Sequence, residues 1–217
     1  MRKLLFLLLL SLPLFCVAET EKKDSGAKYL AGAVTMKDGK VSFNEEISAP
    51  GLSKEELFDV MQQWITDWKE SRENIVNVSI NYSDKSEGKI GITVEDYLIF
   101  KSKFLLLDRT RVYYQVNIYL QDEICDVEVT NIHYWYEEQR DGGERYIAEE
   151  WITDDVALNK KKTKLVHEKG KFREKTIDLK DELFQSVAEL LRKSRDEKFK
   201  SSDEYQDLLE KARRSYK

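Results

Sequence analysis

Between residues 76 and 136 apolar and polar side chains alternate with a period of two, and that pattern commits the middle of the chain to an antiparallel sheet with one covered face. Val112, Tyr114, Val116, Ile118 and Leu120 mark one side of a long strand, leaving Tyr113, Gln115, Asn117 and Tyr119 on the other. Val127 and Val129 carry the pattern onto a partner strand, after which the apolar phase slips by one residue to Ile132, Tyr134 and Tyr136. A slip of one in a period of two predicts a β-bulge near Thr130 and Asn131, since without it the strand would turn its apolar side chains to the wrong face. Upstream, Val76, Val78 and Ile80 alternate with polar residues, Ser83 to Gly88 turns the chain, and Ile90, Ile92 and Val94 alternate again, which predicts a hairpin. Residues 145–152 suggest one more strand.

A sheet with one apolar face needs a cover, and two helical stripes can supply it. Ser53 and Glu56 form a capping box, with Leu52 and Leu57 placed as a hydrophobic staple, so a helix is expected over about 54–70. Leu57, Val60, Met61, Trp64 and Trp68 recur on one face of it and read as core rather than as a ligand box. A second stripe, Leu183, Phe184, Val187, Leu190 and Leu191, predicts another helix capped by Thr176 or Asp178. The charged 153–175 stretch before it, with Lys160, Lys161 and Lys162, is expected to be a solvated loop. Residues 28–36 and 41–48 flank Asp38-Gly39, a dipeptide suited to a tight β-turn, and predict a hairpin that Pro50 and Gly51 close. A last helix is expected over 202–216, with Ser201 and Glu204 as its capping box and Tyr205, Leu208, Leu209, Ala212 and Tyr216 on one face among charges. The fold class is α+β, an antiparallel sheet with helices packed on one face.

The N-terminus carries a different instruction. Arg2 and Lys3 precede an apolar run from Leu4 to Phe15 broken only by Ser11 and Pro13, and Cys16-Val17-Ala18 puts small residues before Glu19. Residues 1–18 therefore read as a cleavable signal peptide, because a run of about twelve apolar residues falls short of the ~20 needed to cross a bilayer. Lipidation at Cys16 is the competing reading, and bulky Phe15 beside it disfavours it. No Gly/Ser tract, low-complexity block or internal repeat divides the chain beyond Ala18, so residues 19–200 are expected to form a single domain and 201–217 a charged, helical tail. Loss of Arg2 and Lys3 leaves 34 basic residues of the 36 against 41 acidic, a balance of −7. An acidic chain without a basic stripe is a poor ligand for nucleic acid. One cysteine, Cys125, remains after cleavage, so no internal disulfide can form.

Catalytic and metal-binding signatures are missing from the sequence. The two histidines, His133 and His167, lie in different elements, and there is no H-E-x-x-H, C-x-x-C, G-x-G-x-x-G or P-loop. Cys125 and His133 are eight residues apart on one strand. At ~3.3 Å per residue they stand about 26 Å apart, too far for a nucleophile–base pair. Paired carboxylates such as Asp122-Glu123, Glu149-Glu150 and Asp154-Asp155 are expected by chance in a chain that is 35% charged. No enzyme activity and no cofactor are expected.

Lys40-Val41-Ser42-Phe43, the run Ala49-Pro50-Gly51-Leu52-Ser53-Lys54-Glu55-Glu56-Leu57, Trp64, and Ser83-Asp84-Lys85-Ser86-Glu87-Gly88-Lys89-Ile90 together resemble the bacterial domain of unknown function 4468 over about residues 40–137. The resemblance implies a TBP-like fold, a curved antiparallel sheet with helices on its convex side, in exported proteins of Bacteroidetes. It brings no catalytic residues, and the shape does not by itself license DNA binding. In a bacterial setting the glycosylation patterns at Asn77 and Asn81 are idle.

Three classes of function fit these features. The first is a periplasmic or secreted, non-enzymatic binding module using the sheet face away from the helices, where Tyr113, Gln115, Asn117, Tyr119, Glu128, Thr130, His133 and Trp135 would gather and contact a small ligand or an envelope protein. Of these, Tyr113, Gln115, Asn117, Tyr119, His133 and Trp135 are the expected ligand contacts. The second is an envelope component acting through its C-terminal helix, and the third an enzyme with an unrecognised site. N-terminal sequencing of protein expressed in a Gram-negative host should begin at Glu19; a lipidated Cys16 would overturn the signal-peptide reading.

Overall fold

A computed structural model describes residues 26–103, 106–203, 206–208 and 210–211 of the chain. The signal-peptide reading of residues 1–18 lies outside them, as do Glu204, Tyr205, Leu209, Ala212 and Tyr216 of the expected last helix.

Seven strands form an antiparallel sheet: β1 (Met36–Lys37), β2 (Lys40–Ser48), β3 (Asn77–Asp84), β4 (Lys89–Lys103), β5 (Leu106–Gln121), β6 (Ile124–Tyr136) and β7 (Glu144–Ile147). Their order is β1-β2-β6-β5-β4-β3, with β7 also on β6. β6 changes partner along its length, pairing β2 from Ile124 to Thr130 and β7 from His133 to Tyr136. The expected bulge sits at the changeover. Tyr113 pairs His133 but Gln115 pairs Thr130, so Asn131 falls in the bulge with φ +51°, and Ile132 and Tyr134 return to the covered face.

That face is covered by α1 (Lys54–Ser71) and α4 (His167–Ser201), with two short helices, α2 (Ala148–Trp151) and α3 (Asp154–Ala157), beside them. The capping box forms as expected: Glu56 N–H donates to Ser53 Oγ, and the Glu56 carboxylate accepts from Ser53 N–H at 2.8 Å. Leu57, Met61, Trp64 and Trp68 are buried, the two indoles stack at 5.7 Å, and Trp64 Nε1 donates to Ser186 of α4 at 2.8 Å. Beneath the helices Ile90, Ile92, Val94, Val112, Val116, Ile118 and Val127 are fully buried. Removing such side chains from water contributes about 1.5–3 kcal/mol each.

Several expectations change. Asp38 and Gly39 do make a tight turn, both with positive φ, but the strand before it is only Met36–Lys37, because residues 27–29 coil into a 3-10 helix. β3 is an edge strand, and Ile80 on it and Val76 just before it both stay about half exposed. The strand expected at 145–152 stops at Ile147 and becomes α2.

The 153–175 segment is not a loop. It holds α3, a bridge between Leu158 and Leu165, and the first turns of α4, whose N-cap is Val166 rather than Thr176 or Asp178. Asp178 instead accepts from Lys28 Nζ at 2.8 Å and Tyr29 Oη at 2.7 Å, and Thr176 hydrogen-bonds the Tyr134 hydroxyl at 2.8 Å. Phe172 explains why these turns are helical despite their charge. It is fully buried, with Phe100, Tyr134, Tyr136, Tyr146 and Trp151 ranged around its ring at 4.7–6.2 Å.

Next to it Arg173, also fully buried, donates to the carbonyls of Tyr29, Leu30 and Ile152 at 2.6–2.8 Å and pairs with Asp154 at 2.7 Å. One guanidinium thereby ties the N-terminal segment and the loop between α2 and α3 to α4. Arg173→Met should leave those acceptors unsatisfied and cost about 3–5 kcal/mol, a fall in Tm of roughly 10 °C in a chain of this size. A thermal melt in which the variant stays within about 2 °C of the wild type would show that this clamp does not hold the fold.

Candidate functional site

On the face away from the helices, strand register sets side chains in rows that run across the sheet. One row joins Tyr97, Arg111, Trp135 and Arg145; the next joins Glu95, Tyr113 and His133; further rows join Thr93, Gln115, Thr130 and Ser42, then Tyr82, Gly91, Asn117 and Glu128. Tyr113, Gln115, Asn117, Tyr119, Glu128, Thr130, His133 and Trp135 all lie on this open face. They do not form one pocket but divide into three groups.

The first group is a closed polar network. Gln115 donates to Asn117 at 2.8 Å, Asn117 donates to Glu128 at 3.0 Å, and Ser42 and Lys37 donate to the other Glu128 oxygen at 3.0 and 3.2 Å. Burial disfavours the charged Glu128, but the hydrogen bonds from Asn117, Lys37 and Ser42 outweigh it and hold its carboxyl below the ordinary carboxylate range. Thr130 donates to the Val41 carbonyl at 3.1 Å. The Tyr82 ring lies against Gly91 so closely that a Cβ there would come within 2.1 Å of it, and its hydroxyl points to Asn117. Tyr119 stands exposed at the rim. This network reads as an internally satisfied surface more than as a set of groups waiting for a ligand.

In the second group Tyr113 and His133 stack at 4.9 Å, with His133 Nδ1 3.1 Å from the Asn131 carbonyl. The third is the row of Tyr97, Arg111, Trp135 and Arg145, where ring and guanidinium alternate. Arg111 lies 5.1 Å from the Tyr97 ring and 5.4 Å from the Trp135 ring, and Arg145, on the neighbouring strand, lies 4.4 Å from the centre of the Trp135 ring. Arg111 is held in place on all sides: it donates to Glu95, to Glu138 at 2.8 Å and to the Tyr97 hydroxyl at 2.8 Å. That hydroxyl donates to Glu138 at 2.6 Å, and burial followed by this bond raises the Tyr97 phenol above its ordinary pKa. Trp135 Nε1 donates to the Gly142 carbonyl at 2.8 Å.

Beside this row the loop between β6 and β7 borders an open cavity of about 460 Å³ lined by Tyr97, Arg109, Arg111, Trp135 and Glu138, among others. Trp135 is the expected contact residue that lines it; Tyr113, Gln115, Asn117, Tyr119 and His133 do not. Tyr97, Arg109, Arg111 and Glu138 were not among the expected residues. A signal for two of them existed: Arg109 and Arg111 extend the 113–119 alternation backwards by two steps, onto residues that precede the expected strand start at 112.

Cys125 faces the helices, and burial pushes its thiol up to about 12, so it does not supply a nucleophile at neutral pH. Among the described residues no three His, Cys, Asp or Glu side chains are grouped to hold a metal ion, and no helix is long and apolar enough to cross a membrane.

Known proteins place this architecture. The profile of a family described as a domain of unknown function (DUF4468) with TBP-like fold matches residues 43–135. A crystal structure of a DUF4468 family protein from Bacteroides ovatus is similar at 40% identity, covering 76% of this chain and 93% of its own, with a TM-score of 0.69. A TBP-like protein from Parabacteroides distasonis is similar at 24% identity over 73% of this chain and 97% of its own, with a TM-score of 0.58, a likeness of fold alone. No curated protein matches the chain.

Proposed function

We propose that this chain, which belongs to the DUF4468 family, is an exported, non-enzymatic binding module whose ligand rests on the open face of the sheet at the Tyr97–Arg111–Trp135–Arg145 row. The observation that carries the proposal is the fixed state of that row. Aromatic rings offer contact area only where they stay in place, and here Trp135 is held by Gly142, by Arg111 and by Arg145, while Tyr97 is held by Glu138 and Arg111. A binding surface organised before the ligand arrives avoids the cost of ordering it afterwards. The loop bearing Glu138 gives the surface a concave wall, which separates it from the flatter network around Asn117 and Glu128.

Several features favour binding over catalysis. Glu95 and Glu138 are paired with Arg111, and the only mature cysteine is buried on the opposite face. None of these is a poised general base or nucleophile of the kind that acyl or phosphoryl transfer requires. Export rests on the Arg2-Lys3 start, the apolar run and the Cys16-Val17-Ala18 site.

Native mass spectrometry of the mature protein purified from its own cell envelope tests the proposal. A bound small mass is expected on the wild type, and a His133→Ala, Trp135→Ala double variant should lose it while its Tm falls by only a few degrees, since both side chains are at least partly exposed. Retention of the mass by the variant, or collapse of its fold, would overturn the assignment of the open face.

A further inference from the structure

Deepening that reading, and resting on it, we infer that the open-face cavity recognises an anionic group, a carboxylate or phosphate, carried on a flat apolar body, with Arg109 as its principal ligand. The inference comes from which cations in the cavity are already occupied. Arg111 donates to Glu95, Glu138 and Tyr97, Arg140 pairs with Glu137 at 3.4 Å, and the nearby Lys171 pairs with Asp108 at 3.0 Å. Arg109 and Lys101 differ. Both line the cavity, and neither has a carboxylate partner or side-chain hydrogen bond among the described residues.

Arg109 is nevertheless held. Its guanidinium lies 3.9 Å from the centre of the Tyr97 ring, and Tyr97 is itself fixed through Glu138 and Arg111. Cation–π stacking restrains the plane of a guanidinium but leaves its in-plane N–H groups available, which is the geometry that accepts a carboxylate or phosphate in a bidentate fashion. The four cations that line the cavity, Lys101, Arg109, Arg111 and Arg140, outnumber its three acids, Asp108, Glu137 and Glu138, in a chain whose net charge is −5, and an anion would balance that local excess. Asp108, Glu137 and Glu138, the acids that line the cavity, are engaged by Lys171 and the Tyr136 hydroxyl, by Arg140 and by Arg111 respectively, and none of them pairs with Arg109. Leu107, about half exposed, and the rings of Tyr97 and Trp135 supply the apolar and aromatic contact for the body of the ligand.

Three probes separate the contributions: 2-naphthoate, 2-naphthyl phosphate and the neutral 2-naphthamide, titrated into the mature protein while the indole N–H resonance of Trp135, assigned by a Trp135→Phe variant, is followed by NMR. At least one anionic probe should shift that resonance with a Kd on the order of 10-fold or more below that of the amide, and Arg109→Gln should weaken it by roughly 10- to 100-fold, the range for loss of a charge-assisted hydrogen bond. Lys101→Gln, at an exposed side chain, should weaken it by less, and a thermal melt of each variant confirms folding. Equal affinity for acid and amide, or no change in Arg109→Gln, would overturn anion recognition while leaving the open face as the binding surface. Failure of all three probes to move Trp135 would overturn this inference alone, because the native ligand mass is measured independently.

Discussion

The pleat of β5 is the constraint on which everything else depends. Its central residues are fixed between β4 and β6, and successive side chains must point to opposite faces, so Val112, Val116 and Ile118 enter the core while Arg111, Tyr113, Gln115 and Asn117 are committed to the other side. β6 could not match that commitment over its whole length without the bulge at Asn131. The same residue marks where β6 passes from β2 to β7, and so where Trp135 comes into register with Arg111 and Arg145. The core and the proposed binding row are two consequences of one alternation.

The two ends of the open face differ in how their polar groups are used. Around Glu128 the donors and acceptors satisfy one another, and the network stiffens the sheet between β2, β5 and β6. Around Trp135 the carboxylates are used to fix Arg111, and Arg111 in turn fixes the rings, which leaves Arg109 stacked on Tyr97 beside a cavity with no acidic partner among the described residues. A surface whose hydrogen bonds are complete can be structural; one that holds a cation in place without an acidic partner among the described residues is where the proposed anion would sit.

Much of this was legible from the residues. The capping box at Ser53, the tryptophan stripe of α1, the phase slip on β6 and the face assignment of Tyr113 to Trp135 all follow from local spacing, and the helices and sheet honour it. The start of α4 was not legible, because its buried groups include Arg173, Thr176 and Gly170, which no apolar periodicity flags. They are buried by what reaches them from elsewhere, the Tyr134 hydroxyl, the backbone of residues 29, 30 and 152, and Leu165. The cavity was missed for a related reason. It depends on Glu138 returning from a loop to meet Arg111, a contact 27 residues apart in sequence that alternation cannot reveal.

A crystal structure of the mature protein, purified from its own envelope with its bound ligand retained, addresses the functional reading most directly. Density for a small molecule should lie against Trp135 and Tyr97 with its anionic group on Arg109. Density seated instead at the C-terminal end of α4, or over the closed network at Asn117 and Glu128 with the Arg109 cavity empty, would contradict it.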